Sequence, residues 1–109
     1  MHKWALLQYG SMLTGHKRLV RGNHDIFKTR DYLAAGFEEI RGVSVLNNMV
    51  FTHIPIHPNC MGRFRGNVHG HTHLQPAFDS RYLNVCVEQT DYWPITLEEV
   101  VARLEKACV

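Results

Sequence analysis

Five of the eight histidines in this chain, His53, His57, His69, His71 and His73, crowd into one stretch of loops and strand ends. Neutral imidazole is the commonest transition-metal ligand, and loops at strand ends are where sites are built, so the stretch points to metal chemistry carried on a sheet. Gly70-His71-Thr72-His73 follows the short β-rich run Asn67 to His69. On an extended backbone, residues i and i+2 point the same way. His71 and His73 are therefore expected to address neighbouring metals, or one metal from one side, with His69 sharing their parity. His2 and His16 stand apart and are read as uninvolved.

A second motif, Gly22-Asn23-His24-Asp25, follows directly on the β-rich run Lys17 to Arg21. The glycine permits a tight turn. The Asn23 amide oxygen can face a metal, His24 can protonate a leaving oxygen, and the Asp25 carboxylate can hold that imidazole in orientation. Either motif alone could be an ordinary polar loop. Their presence in one chain, with Thr52-His53-Ile54-Pro55 between them, weighs for a site.

Coarse patterning gives the frame. Lys3 to Leu13 reads as a short helix ended by Gly15, and Lys17 to Arg21 as a buried strand. Lys28 to Ala35 reads as a second helix, with Gly36 at the left-handed C-cap. Glu39 to Leu46 and Met49 to Ile54 flank Asn47-Asn48 as a hairpin. A loop from Pro55 to Asn67, a strand at Asn67 to His69 and another at Tyr82 to Glu88 follow. Thr96 and Glu99 make a T-x-x-E capping box for a final helix with Leu97, Val100, Val101 and Leu104 on one face. The class expected is α/β, a mixed β-sheet layered with helices in at most one domain spanning 1–109.

Composition excludes several alternatives. Apolar residues make up 45% and charged residues 20%, with a formal charge of +2, so neither disorder nor a broad nucleic-acid or membrane surface is indicated. Nucleic acid enters only as a potential substrate. Three cysteines without a CxxC pattern give neither a disulfide framework nor a zinc ribbon, and the reading is a cytoplasmic protein without export signal or membrane span.

The ordered set G-N-H-D, a lone histidine at the end of an apolar strand, then G-H-T-H resembles the calcineurin-like metallophosphoesterases. The tail Asn84-Val85-Cys86-Val87-Glu88, with Tyr92, Pro94 and a short helix, looks like the ending of their smaller bacterial and phage members. The resemblance implies the C-terminal half of an αββα sandwich. It implies two divalent cations (manganese, iron, zinc or nickel), with Asn23, His53 and His71 on one and His73 on the other. His24 would face the leaving group with Asp25 supporting it, and His57, Arg63 and Arg65 would line the substrate pocket, with His57 equally readable as an ordinary loop residue. The activity implied is hydrolysis of a phosphomonoester or phosphodiester.

The sequence departs from that family in one respect. The D-x-H and G-D-x-x-D motifs that begin its pattern do not occur in these 109 residues. Activity is therefore expected to need a missing N-terminal half, either separately encoded or part of a longer parent chain of which this is a fragment, or else another copy with rearranged strands in a homo-oligomer. The competing reading is a non-catalytic metal-binding or interaction remnant of such an enzyme.

Overall fold

The structure, a computed structural model, describes residues 6–7, 10 and 12–107. Most of the helix expected over Lys3 to Leu13 lies outside the described residues; Leu6, Leu7, Gly10 and Met12 are helical. Gly15, at φ +88°, follows where the chain must turn. The contacts sort the chain into two units, Met1–Gly42 and Val43–Val109. Both belong to the mixed α/β class.

In the first unit, β1 (Arg18–Val20) and β2 (Glu39–Arg41) pair in parallel, with α1 (Thr29–Ala34) in the connection between them. The Lys28 amide donates to the Asp31 carboxylate at 3.2 Å, which satisfies one of the free amides at the start of α1. The helix ends in a Schellman motif. Phe37 N–H returns to the Tyr32 carbonyl and Gly36 N–H to Leu33, both at 3.1 Å, with Gly36 at φ +101°. Leu6, Tyr32 and Ala35 are buried together and are packed by Leu19, Phe27, Phe37 and Ile40.

In the second unit the strand order is β3 (Val43–Leu46), β4 (Met49–Thr52), β5 (Gly66–His69), β6 (Tyr82–Asn84). The β3–β4 hairpin is antiparallel, and both later pairings are parallel. Asn47 and Asn48 sit at φ 51° and 60°, the left-handed pair that a two-residue hairpin demands. Two expectations are corrected. The run Glu39 to Leu46 is not one strand: it breaks at Gly42, and its halves pair in different sheets. The run Tyr82 to Glu88 leaves the ladder after Asn84, because Asn84 Oδ1 takes the Cys86 amide at 3.0 Å and a 3₁₀ turn follows at Val87–Gln89.

The two faces of this sheet differ in chemistry. Met49 and Val68 are buried against Val100 and Leu104 of α2 (Leu97–Ala107), with Phe51, Leu83, Val85 and Leu97 around them. The Glu99 amide donates to Thr96 Oγ at 3.1 Å, the first half of the capping box. Strand alternation sends Val50, Thr52, Asn67, His69, Tyr82 and Asn84 to the other face, where all are buried. One face is thus a hydrocarbon core and the other a buried polar layer. Among the described residues, no helix is long and apolar enough to cross a membrane.

Leu104 is 4% exposed and central to the apolar layer. Leu104→Ala should lower unfolding free energy by about 2–5 kcal/mol in chemical denaturation. In the first unit, hydrogen bonds from Arg41, His16 and Arg18 hold the Glu39 carboxyl down to about 2, from an ordinary 4.5. A depressed acid contributes stability above its unfolded pKa and loses it as pH falls toward the folded one. Stability of the wild type should therefore fall between about pH 4.5 and 2, and Glu39→Gln should flatten that part of the profile measured by thermal melting.

Candidate metal centre

The parallel strands β4 and β5 end side by side, at Thr52 and His69. One more bond continues the ladder, from Gly70 N–H to the His53 carbonyl at 2.9 Å. This sets His53 beside the start of G-H-T-H. His53 Nε2 and His71 Nδ1 face each other at 3.1 Å, their rings 5.0 Å apart and inclined at 73°. Two nitrogens on one tetrahedral cation, each at about 2.0–2.1 Å, would stand roughly 3.3 Å apart. The 3.1 Å spacing is that of an imidazole–imidazole hydrogen bond and equally suits two nitrogen ligands on a single divalent ion. Among the described residues, no three His, Cys, Asp or Glu side chains gather as a complete metal cage.

His71 and His73 are not on extended backbone, which corrects the basis of their expected common direction. The strand stops at His69, and the two residues have φ 69° and 50°, in the left-handed region that costs a non-glycine residue energy. Their rings part company accordingly. His71 meets His53, whereas His73 Nδ1 lies 2.5 Å from Glu88 Oε2. The His73 carbonyl accepts from Asn84 Nδ2 at 2.9 Å and from Gln89 Nε2 at 3.0 Å. The hydrogen bond from His73, aided by a backbone amide, holds the Glu88 carboxyl below the usual range. His69, which shares the parity of the motif, is buried and bonds the Gly70 carbonyl through Nδ1 at 2.9 Å. Its Nε2 is buried without a hydrogen-bond partner among the described residues.

The loop after His53 is pinned from below. Asn67, fully buried, donates to the Val50 carbonyl at 3.0 Å and to Thr52 Oγ1 at 2.9 Å, and its Oδ1 accepts the Ile56 amide at 2.9 Å. Tyr82 OH donates to the Ile56 carbonyl at 2.7 Å, and burial pushes its pKa up, so the hydroxyl keeps its proton. His57 is exposed beyond this point and caps the turn Pro58–Cys60, its Nδ1 accepting the Asn59 amide at 3.1 Å. It borders an apolar hollow of about 340 Å³ walled by Pro55, Ile56, Pro58, Phe78 and Tyr82. Arg63 and Arg65 lie at the other end of β5. There the Arg65 amide bonds the Asn48 carbonyl at 2.8 Å and its guanidinium bonds Glu105 at 3.0 Å. The structure does not bring them to the histidines.

Gly22-Asn23-His24-Asp25 belongs to the first unit. Asn23 and His24 are exposed, and Asp25 is half-buried. Asp25 Oδ2 accepts the Gly22 amide at 2.7 Å, so the carboxylate closes the turn that carries His24. Arg21 ties the turn down. Its guanidinium donates to the Asp25 carbonyl at 3.0 Å, to the Phe27 carbonyl and to Thr29 Oγ1, and lies over the Tyr32 ring.

Sequence reasoning passed over Asn67, Asn84, Glu88 and Gln89 as site-forming residues. Asn84 and Glu88 stood in a recognised tail, but no local pattern tells which buried amide or carboxylate reaches back to a loop. No protein-family model, curated protein or solved structure matches the chain.

Asn67→Ala removes the donor and acceptor that fasten the His53 loop and leaves their partners buried. The expected loss is on the order of 3 kcal/mol in denaturant unfolding; an unchanged midpoint would show that the loop is fastened elsewhere.

Proposed function

We propose that this chain is a metal-dependent phosphoesterase domain of the calcineurin-like kind, corresponding to the C-terminal half of an αββα sandwich. The observation that carries the reading is the 3.1 Å approach of His53 Nε2 to His71 Nδ1 beyond the carboxyl ends of adjacent parallel strands. Open α/β sheets place their ligands at that end of the strands. The metal-free pair is joined by an imidazole–imidazole hydrogen bond, and a cation would take the place of the shared proton between the two nitrogens.

In this reading His53 and His71 hold one divalent cation and His73 serves the second; the Asn23 amide oxygen enters as a further ligand by the family resemblance alone. Manganese, iron, zinc and nickel all suit such mixed nitrogen and oxygen donors. The bound cations would neutralise phosphate oxygens and lower the pKa of the attacking water. By the same resemblance His24 would carry the proton needed by the leaving oxygen; its turn is kept in shape by Asp25 and Arg21. Carboxylate ligands of the D-x-H and G-D-x-x-D kind would come from a partner segment or a longer parent chain, whereas another copy of this chain could lend only carboxylates of other motifs.

The test is hydrolysis of an aryl phosphodiester with added Mn²⁺. The chain is assayed alone, with a family N-terminal segment, and as His24→Ala in both settings. Turnover that needs the added segment and drops by about 10²–10⁴-fold in His24→Ala is expected of a general acid. Turnover by the chain alone would mean that copies of this chain supply the missing ligands. No turnover in any mixture, with Mn²⁺ still bound, would replace the enzyme reading with that of a non-catalytic metal-binding module.

A further inference from the structure

Three side chains from one short segment converge on a single residue of the histidine loop. Asn84 and Gln89 both donate to the His73 carbonyl, and Glu88 takes its ring nitrogen Nδ1 at 2.5 Å. His73 has φ 50°, a conformation that a non-glycine residue holds only when its surroundings impose it. The imposition is visible here, and it reaches beyond the backbone to the ring. The His73 side chain is 76% exposed although its Nδ1 is engaged, so the opposite edge of the ring faces outward.

A carboxylate can only accept, so the Nδ1 it touches must carry the proton. In the neutral ring Nε2 then keeps its lone pair, on the exposed edge. Metal-ligating imidazoles are set in this way: the far nitrogen donates to a carboxylate, which fixes the tautomer and orientation and raises the basicity of the nitrogen that binds.

We propose that Glu88 is a positioning residue that holds His73 in its Nδ1–H form and so presents Nε2 to a divalent cation. The inference rests on the reading of His73 as a metal ligand, and it adds a residue that the G-H-T-H motif does not contain. Glu88 acts through His73 and touches no reacting atom.

Long-range ¹H–¹⁵N correlation spectra of the metal-free chain report which ring nitrogen carries the proton. The wild type should show His73 protonated on Nδ1. Glu88→Ala should move the proton to Nε2, the form an unconstrained imidazole prefers. Glu88→Gln, which keeps an acceptor oxygen, should fall between the two. A Zn²⁺ titration followed at the His73 ring signals should then show affinity lowered about 10- to 100-fold in Glu88→Ala. Glu88 is outside the apolar clusters, so melting of the variant should stay near that of the wild type and separate this loss from unfolding. Nε2–H in the wild type, or a tautomer and affinity unchanged in Glu88→Ala, would overturn the proposal. An Nδ1–H tautomer in a chain that binds no Zn²⁺ at His73 would uphold the tautomer assignment and remove the metal reading of the site.

Discussion

The histidine end of the second sheet depends on one buried amide. Asn67 reaches sideways to β4 through Val50 and Thr52 and upward to Ile56, so one side chain joins two strands and the loop that leaves His53. Buried polar groups are costly unless every donor and acceptor is used, and here they are used. Tyr82 completes the arrangement by binding the other backbone group of Ile56. With Ile56 held by both its amide and its carbonyl, the loop has little freedom to carry His53 away from His71. The apolar layer beneath α2 supplies adhesion; the polar layer above supplies position.

The sequence was most legible where local chemistry decides the outcome. Asn47-Asn48 made its turn because both residues tolerate positive φ, Gly36 ended its helix for the same reason, and Thr96 capped the last one. The helix face Leu97, Val100, Val101 and Leu104 met its core as its spacing required. Legibility failed where partners are far away in the chain. Glu39 to Leu46 has continuous β propensity, and only pairing with β1 on one side and β4 on the other reveals the break at Gly42. The same holds at Asn84, whose side chain captures an amide that strand periodicity would have assigned to the ladder.

The candidate site divides along the same line. Motif spacing singled out His53, His71 and His73, of which the structure brings the first two together, but the inference from extended-strand parity did not survive, since His71 and His73 both lie in the left-handed region. A motif of alternating histidines implies one shared direction only while the backbone stays extended. Here the rings diverge, one to His53 and the other to Glu88. Asp25, expected to support His24, also has a backbone role that the sequence did not reveal: its Oδ2 closes the turn through the Gly22 amide. Short polar side chains often serve the backbone nearest to them, and sequence alone seldom says which amide that is.

The strand order also bears on how the second unit assembles. The β3–β4 hairpin joins neighbours through a two-residue turn, whereas β5 and β6 reach their places only after long loops have closed in parallel. Loop-closure entropy delays such pairings, and local hairpins form within microseconds. The order favoured is therefore hairpin first and parallel docking afterwards. His53 and His71 belong to opposite sides of that later step, so their approach is among the last contacts to form. An ion bridging them would slow the undocking of β5 from β4 and leave the hairpin's own opening untouched.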